Sequence, residues 1–225
     1  EGPPSGATSG KASSGKAATK NKRKTPADSS GTPGAAAADA EWGELEVSAI
    51  EDIIGLGLPE AIAKLCPGIE PEQAERLRQR YSHHFVHGDT TPMPFFDGVE
   101  AQLARLRERP QQRLAVATGK SRRGLDRVFN ETGSGGLFHT SRTADETRSK
   151  PHPQMLLEIL AELQVPAERA VMVGDTEYDL EMARAIGMDR VGVTYGVHTP
   201  ARLAASQPVW VAEDVPSLFD WLRHA

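Results

Sequence analysis

The sequence predicts an α/β fold built on a parallel sheet. From about residue 113 to residue 222, short apolar runs alternate with segments that repeat apolar residues at helical spacing, which is the pattern of α/β proteins. Two of the runs, 114–117 and 170–173, end directly in small or polar residues, as buried strands of a parallel sheet do. The five strands are expected near 113–118, 137–141, 170–174, 190–194 and 208–212.

The part of the chain before this alternation has two different compositions. The first 44 residues are almost entirely Gly, Ala, Ser, Thr, Pro and Lys, which predicts a disordered tail. From about 47 to 90 the apolar spacing is helical; one helix either continues or restarts after Gly57, and Pro67-Gly68 breaks the chain. The predicted organisation is a tail (1–44), a helical segment (45–92) and an α/β core (93–225).

Composition excludes several classes of function. The formal net charge is −5, and since the first 40 residues hold six Lys or Arg against three Asp or Glu, the remainder carries −8. An acidic body of this kind argues against nucleic acid as a partner. No run of 18 apolar residues occurs, so no membrane-spanning segment is expected. Cys66 is the only cysteine, which excludes an internal disulfide and suits a cytoplasmic protein.

The strand that ends at Thr118 leads into a candidate anion site. Asp97 is expected to cap the helix before this strand, and Ser121 to cap the helix after it, over 122–131. A threonine hydroxyl, the unhindered amide of Gly119 and a helix N-terminus can together bind an anion such as phosphate. The alternative is an ordinary capped turn between a strand and a helix.

Lys150 lies in a loop with prolines at 151 and 153, ahead of a predicted helix that contains Met155 and Ile159. Because the prolines stiffen the loop, we expect Lys150 to be held near the same edge of the sheet as Thr118. The alternatives are an ordinary surface lysine and, much less favoured by its neighbours, a Schiff-base lysine.

The apolar run 170–173 ends in Gly174-Asp175, and Asp179 follows four residues later at the start of a helical pattern. Two carboxylates are therefore placed at the carboxyl end of a buried strand, where open α/β sheets bind ligands. Hard cations such as Mg²⁺ prefer oxygen ligands of this kind. The alternative is that Asp175 is a turn residue and Asp179 part of a helix cap.

In chain order, Thr118, Lys150 and the segment 174–179 resemble the second, third and fourth motifs of the haloacid dehalogenase (HAD) superfamily. The flanking sequence looks most like the phosphoglycolate phosphatase branch, and the resemblance runs from about Ile50 to the C-terminus. It implies a Rossmann-like, three-layer α/β fold with a parallel sheet, together with a small helical cap domain formed here by residues 45–92.

The resemblance also implies a reaction. Thr118 and the amide of Gly119 would hold phosphate oxygens, Lys150 would neutralise the nucleophile and the transferring group, and Asp175 and Asp179 would hold Mg²⁺. The substrate would be a small phosphorylated metabolite, with phosphoglycolate as the leading candidate. These roles are chemically reasonable, because phosphoryl transfer needs positioning and charge neutralisation above all.

The first motif of that family, a buried strand ending in Asp-x-Asp-Gly-Thr with the nucleophile as its first Asp, does not occur in this sequence. The nearest string begins at Asp28, but it follows a polar segment and continues into Pro33, so Asp28 is a weak candidate for the nucleophile. The central strand of the sheet is therefore expected to be absent. We hypothesise that residues 1–44 are an out-of-frame reading, or a replacement, of the segment that should carry this motif.

The sequence thus predicts a Mg²⁺-dependent phosphatase-type hydrolase that is inactive as written. A second prediction, of a different class, is a non-catalytic domain that binds phosphate or a phosphorylated metabolite through Thr118, Gly119 and Lys150.

Overall fold

The computed structural model describes residues 46–83 and 93–224. Within these ranges the chain alternates strands and helices from residue 115 onward, as the sequence predicts. The helices are α1 (Val47–Ile53), α2 (Leu58–Leu65), α3 (Pro71–His83), α4 (Val99–Arg107), α5 (Arg122–Thr132), α6 (Gln154–Leu163), α7 (Glu177–Arg184), α8 (Pro200–Ala205) and α9 (Val215–His224). The strands are β1 (Ala115–Thr118), β2 (Thr140–Thr143), β3 (Val171–Gly174), β4 (Asp189–Val193) and β5 (Trp210–Ala212). Short 3₁₀ helices lie at Ser134–Leu137 and Ala167–Arg169.

The five strands form two parallel sheets. β1 pairs with β2, which places Thr118 opposite Thr143. β3 pairs with β4, and β4 with β5. Among the residues that the structure describes, no strand joins β1 to β3, so each of these two strands has one unpaired edge. Residues 1–45 lie outside the described part, and the absence of a central strand stays a prediction.

The two sheets nevertheless pack against the same two layers of helices. On one face, Leu114 (directly before β1) and Val171 contact one apolar cluster, and on the other face Ala117 and Met172 contact a second one. Because each cluster receives side chains from both sheets, the sheets lie side by side in a three-layer α/β arrangement. The buried members of the first cluster are Leu106, Val191, Val193, Ala212, Leu218 and Phe219, and those of the second are Met155, Leu156, Met182, Ala183 and Met188.

Helices α1–α3 form the helical segment that the sequence predicts. α2 is a restart after α1, with Gly57 as its N-cap and a proline in its first turn. Ile62, Cys66 and Leu77 are buried together between α2 and α3. Burial raises the pKa of the Cys66 thiol, as is typical of a structural cysteine. No helix in the described ranges is long and apolar enough to span a membrane.

Two local predictions are wrong. The expected cap Asp97 does not cap α4; the N-cap is Gly98, in the left-handed region at φ 81°, without a side-chain cap. The second strand lies at Thr140–Thr143, three residues later at its start than expected. Its sequence, Thr-Ser-Arg-Thr, has no apolar run, so its pairing with β1 decides where it forms.

Candidate active site

Lys150 is buried, which excludes the alternative of an ordinary surface lysine. Only 5% of the residue is exposed. Its Nζ donates to the carbonyl oxygen of Ala117 at 2.9 Å and to Oδ1 of Asp179 at 2.5 Å. Ala117 belongs to β1 and Asp179 to the first turn of α7. The ammonium group therefore connects the carboxyl end of β1 with the helix that follows β3, across the two unpaired strand edges.

Asp179 is held by its own helix as well as by Lys150. Thr176 is the N-cap of α7, and its backbone N–H and hydroxyl donate to Asp179 Oδ2 at 3.2 and 2.7 Å, while the Asp179 N–H donates to the Thr176 hydroxyl oxygen at 3.4 Å. This is a reciprocal capping box. The sequence alternative in which Asp179 is part of a helix cap is thus realised, and the threonine three residues earlier was the signal for it.

Asp175 directly follows β3 and is fixed by the segment after β4. Its Oδ2 accepts from the backbone N–H of Val197 at 3.1 Å, and its carbonyl oxygen accepts from the N–H of His198. Gly196 permits this contact, because a Cβ there would overlap the Asp175 side chain. The second carboxylate oxygen forms no hydrogen bond with the described residues. Asp175 is therefore a half-buried acceptor at the strand end.

Thr118 and Gly119 form the turn between β1 and α5. The Thr118 hydroxyl oxygen accepts from the N–H of Lys120 at 3.2 Å, and Ser121 caps α5 by accepting from the N–H of Gly124 at 3.3 Å. The predicted cap at Ser121 is confirmed. Since Lys150 bonds to the residue before Thr118, the structure places Thr118, Lys150 and Asp179 at one edge of the sheets.

A segment of the helical region, Gly55–Gly57, lies directly against this edge. A Cβ on Gly119 would be 2.6 Å from the carbonyl oxygens of both Gly55 and Leu56. A Cβ on Gly55, whose φ is 106°, would be 2.9 Å from the Thr176 hydroxyl oxygen. The Gly55–Leu56 backbone therefore lies between the turn after β1 and the turn after β3, a long-range contact that no local sequence pattern indicated.

Comparisons with known proteins identify the family. A family model described as haloacid dehalogenase-like hydrolase matches residues 34–193. The chain belongs to the haloacid dehalogenase-like hydrolases.

Individual relatives point to the same part of this family. The chain is 35% identical over 164 residues to the probable phosphatase IndB of Dickeya dadantii, with 71% of each chain covered. It is 31% identical over 191 residues to a plasmid-encoded phosphoglycolate phosphatase of Cupriavidus necator, with 80% and 81% covered. The resemblance to the phosphoglycolate phosphatase branch is thereby confirmed.

Solved structures support the fold. A predicted phosphoglycolate phosphatase from Haemophilus somnus superposes with a TM-score of 0.73 at 20% identity, over 89% of this chain and 91% of the other. A haloacid dehalogenase-like hydrolase from Bacteroides fragilis gives 0.76 at 22% identity, over 85% and 93%. The predicted HAD-like α/β fold is confirmed by these neighbours.

The residues present fit only part of the Mg²⁺ site that the family implies. Asp175 offers a carboxylate oxygen at a strand end, which suits a hard cation. Both oxygens of Asp179 already bond to Lys150 or Thr176. Within residues 46–83 and 93–224, no three His, Cys, Asp or Glu side chains cluster around a common point. The role of Asp175 and Asp179 as metal ligands stays a prediction, and Asp175 fits it better. Asp28 lies outside the described residues.

Proposed function

We propose that this HAD-family domain binds the phosphate group of a small phosphorylated metabolite at the turn after β1. The proposal depends on the burial of Lys150, which is only 5% exposed. Its ammonium group bonds to the carbonyl oxygen of Ala117 and therefore lies beside the turn Thr118-Gly119. A buried lysine is costly unless it meets negative charge. Asp179 supplies one such charge, and a phosphate dianion adjacent to the turn would be a second.

The proposed roles follow from this arrangement. The Thr118 hydroxyl and the Gly119 amide donate to phosphate oxygens, Lys150 offsets their charge, and Asp179 orients Lys150 through the bond at 2.5 Å. Asp175 would hold Mg²⁺, which when bound neutralises phosphate charge as a Lewis acid. Phosphoglycolate is the substrate that the relatives favour, because one of them carries that name and covers four-fifths of both chains.

For this polypeptide we propose that hydrolysis runs at or near the uncatalysed rate. The sequence contains no Asp-x-Asp-Gly-Thr string. In the described ranges no strand lies between β1 and β3 to present a carboxylate beside Lys150. Without an attacking carboxylate, positioning and charge neutralisation have no covalent step to accelerate.

The second candidate function is therefore binding without turnover, by a regulatory or partner subunit. The same observations favour it, because the groups proposed to bind phosphate are present and the sequence contains no Asp-x-Asp-Gly-Thr string that would supply the attacking carboxylate. The two functions differ in one measurable respect, the release of inorganic phosphate.

The test is a pair of measurements on the purified 225-residue chain. Calorimetric titration with phosphoglycolate, with and without Mg²⁺, measures binding, and release of inorganic phosphate measures turnover. Binding without turnover supports the proposal. Mg²⁺-dependent turnover that is lost in Asp28→Asn would overturn the claim of inactivity and make Asp28 the nucleophile. Absence of binding with Mg²⁺ present would overturn the proposed phosphate site.

A further inference from the structure

We infer that His198 is a positioning residue, which holds the turn between β3 and α7 and thereby fixes the carboxylate of Asp175. The inference rests on the proposed function for the ligand, because Asp175 is the residue proposed to hold Mg²⁺. Asp175 belongs neither to β3 nor to α7 but to the two-residue turn between them. Its position therefore depends on what holds that turn.

Two consecutive residues of the segment that follows β4 hold the turn. The backbone N–H of Val197 donates to Asp175 Oδ2 at 3.1 Å, and the N–H of His198 donates to the Asp175 carbonyl oxygen at 3.1 Å. A third bond runs in the other direction, from the N–H of Glu177 to Nδ1 of His198 at 3.0 Å. Only this third bond uses a side chain of the segment, so it is the one that depends on the identity of residue 198.

The bond from Glu177 satisfies the start of a helix. Glu177 is the first residue of α7, and the first N–H groups of a helix have no partner within the helix. The Thr176 cap accepts from Asp179, and His198 accepts from Glu177. His198 thus bonds to the turn on both sides, through its own N–H to Asp175 and through its ring to Glu177.

The imidazole ring is buried and held in one orientation. His198 is 3% exposed, and the Tyr178 ring contacts it edge to face, with 5.4 Å between the centroids. Because a backbone N–H can only donate, Nδ1 accepts, and the neutral ring carries its proton on Nε2. Nε2 has no hydrogen-bond partner among the described residues, which is unfavourable for a buried donor. Packing alone is therefore a poor account of this histidine, whereas the Nδ1 acceptor gives it a specific use.

The orientation of Asp175 matters for binding a cation. Its Oδ2 accepts from Val197, and its other carboxylate oxygen forms no hydrogen bond with the described residues. Loosening the turn would weaken the bond to Val197 and leave the carboxylate without a fixed direction. Groups that orient a metal ligand without touching the metal typically change metal affinity by about 10–100-fold. His198 should act on Mg²⁺ affinity in this way.

The test compares His198→Asn with His198→Leu. Both replacements branch at Cγ and leave a similar space, but only Asn places an acceptor, Oδ1, where Nδ1 stood. Hydrogen exchange of the Val197 amide reports, without any ligand, whether the Asp175 carboxylate stays in place. The amide of His139 donates to the carbonyl oxygen of Leu114 at 2.8 Å in the other sheet, and its exchange reports opening of the whole fold. We expect the ratio of Val197 to His139 exchange to be about tenfold higher in His198→Leu than in His198→Asn.

Binding of Mg²⁺ alone is measured by an NMR titration that follows the chemical shift of the Val197 amide. We expect His198→Leu to bind Mg²⁺ at least about tenfold more weakly than His198→Asn, with His198→Asn close to the parent chain. Rescue by Asn separates positioning from packing, because both variants lose the ring.

An exchange ratio that is equal in the two variants overturns the inference. A higher ratio in His198→Leu with equal Mg²⁺ affinities also overturns it, because His198 would then hold the turn without orienting the carboxylate for a ligand. If the parent chain binds no Mg²⁺, a higher ratio still supports the action of His198 on Asp175, and the proposed metal role of Asp175 is the part that fails.

His198→Gln replaces His198→Leu if the leucine variant does not fold. The amide oxygen of Gln is attached to Cδ, one bond too far from the backbone to replace Nδ1, so we expect the same rise in Val197 exchange. Val197 exchange as slow as in His198→Asn would contradict the inference.

Discussion

Gly174 and Asp179 lie so close together that a side chain on Gly174 would overlap the Cβ of Asp179. Gly174 ends β3, and Asp179 occupies the first turn of α7, where it bonds to both Thr176 and Lys150. The glycine thus permits the close approach that brings the carboxylate to Lys150. The Gly-Asp sequence, which first indicated the site, has a packing function in addition to any ligand function of Asp175.

We therefore predict that Gly174→Ala destabilises the fold. The overlap is with a Cβ that is fixed to the helix backbone, so β3 and α7 must separate to relieve it. Overpacking of this kind costs about 1–3 kcal/mol of stability. We expect a cost near the upper end of this range, because separating β3 from α7 also weakens the hydrogen bond between Asp179 and Lys150. Urea unfolding measures the free energy of unfolding.

Gly136→Ala is the matched control for this substitution. A Cβ at Gly136 would meet no atom within 4 Å, so we expect a change within about 0.5 kcal/mol. Equal stabilities for the two alanine variants would show that β3 and α7 are not packed as described.

Lys150→Met should be among the most destabilising substitutions in the chain. It leaves Asp179, whose side chain is only 7% exposed, without its cation. Breaking a buried pair by removing one partner costs about 3–5 kcal/mol, because the remaining charge stays buried. The measurement is again urea unfolding, at neutral pH.

The control is Arg184→Met, which removes a cation from the same helix as Asp179. Arg184 pairs with Glu181 at 3.0 Å, and both side chains are exposed by a third or more. Exposed pairs of this kind contribute about 0–1 kcal/mol. If Lys150→Met lowers the free energy of unfolding no more than Arg184→Met does, the Lys150–Asp179 pair does not form in solution.

The sequence was sufficient to predict those parts of the structure that depend on neighbouring residues. The strands before Thr118 and Asp175 are apolar runs with clear ends, and Ser121 has the position of a helix cap; all three were predicted in place. The predicted position of β2 was three residues too early at its start, because its polar residues form a strand only through pairing with β1. The cap of α4 was wrong because Gly98 in the left-handed region replaces the expected aspartate.

The parts that were not predicted depend on contacts between distant residues. The bond from Gly57 to Ser149 spans 92 residues, and that from Tyr178 to Asp52 spans 126. Nothing in the local pattern around Gly55 indicates that its carbonyl group lies against Gly119, because only the three-dimensional arrangement brings them together. The sequence motifs therefore predicted that Thr118, Lys150 and Asp179 lie near one another, while the position of Gly55–Leu56 beside Gly119 required the structure.

A pH-dependent contribution to stability is expected from Glu146. The hydrogen bonds from Arg122 lower the pKa of Glu146 to about 2 from its usual 4.5. The folded state therefore favours the ionised form, and this stabilisation is complete above pH 4.5 and is lost as the pH falls towards 2. The Glu146 and Arg122 side chains are 38% and 33% exposed, so solvent screening limits the contribution to about 1 kcal/mol.

Glu146→Gln tests this linkage. At pH 7 the variant should have a lower free energy of unfolding than the parent chain, and the difference should shrink steadily between pH 4.5 and 2. Glu168→Gln, at an exposed position in the 3₁₀ helix Ala167–Arg169, should show no such trend. A difference that is constant with pH would contradict the ion pair with Arg122.

The role of the Thr118 hydroxyl can be separated from the role of the fold around it. Thr118→Val keeps the shape of the side chain at the end of β1 but removes the hydroxyl that is proposed to donate to a phosphate oxygen there. A hydrogen bond to a charged group contributes about 1.5–3 kcal/mol, so we expect phosphoglycolate to bind roughly tenfold more weakly or worse, by calorimetry with Mg²⁺ present. Thr140→Val makes the same chemical change at the opposite end of the sheet, where Thr140 pairs with Ala115, and should bind like the parent chain. Equal affinities in the two valine variants, with both folded, would remove Thr118 from the phosphate site and leave Lys150 and the Gly119 amide as its only assigned donors.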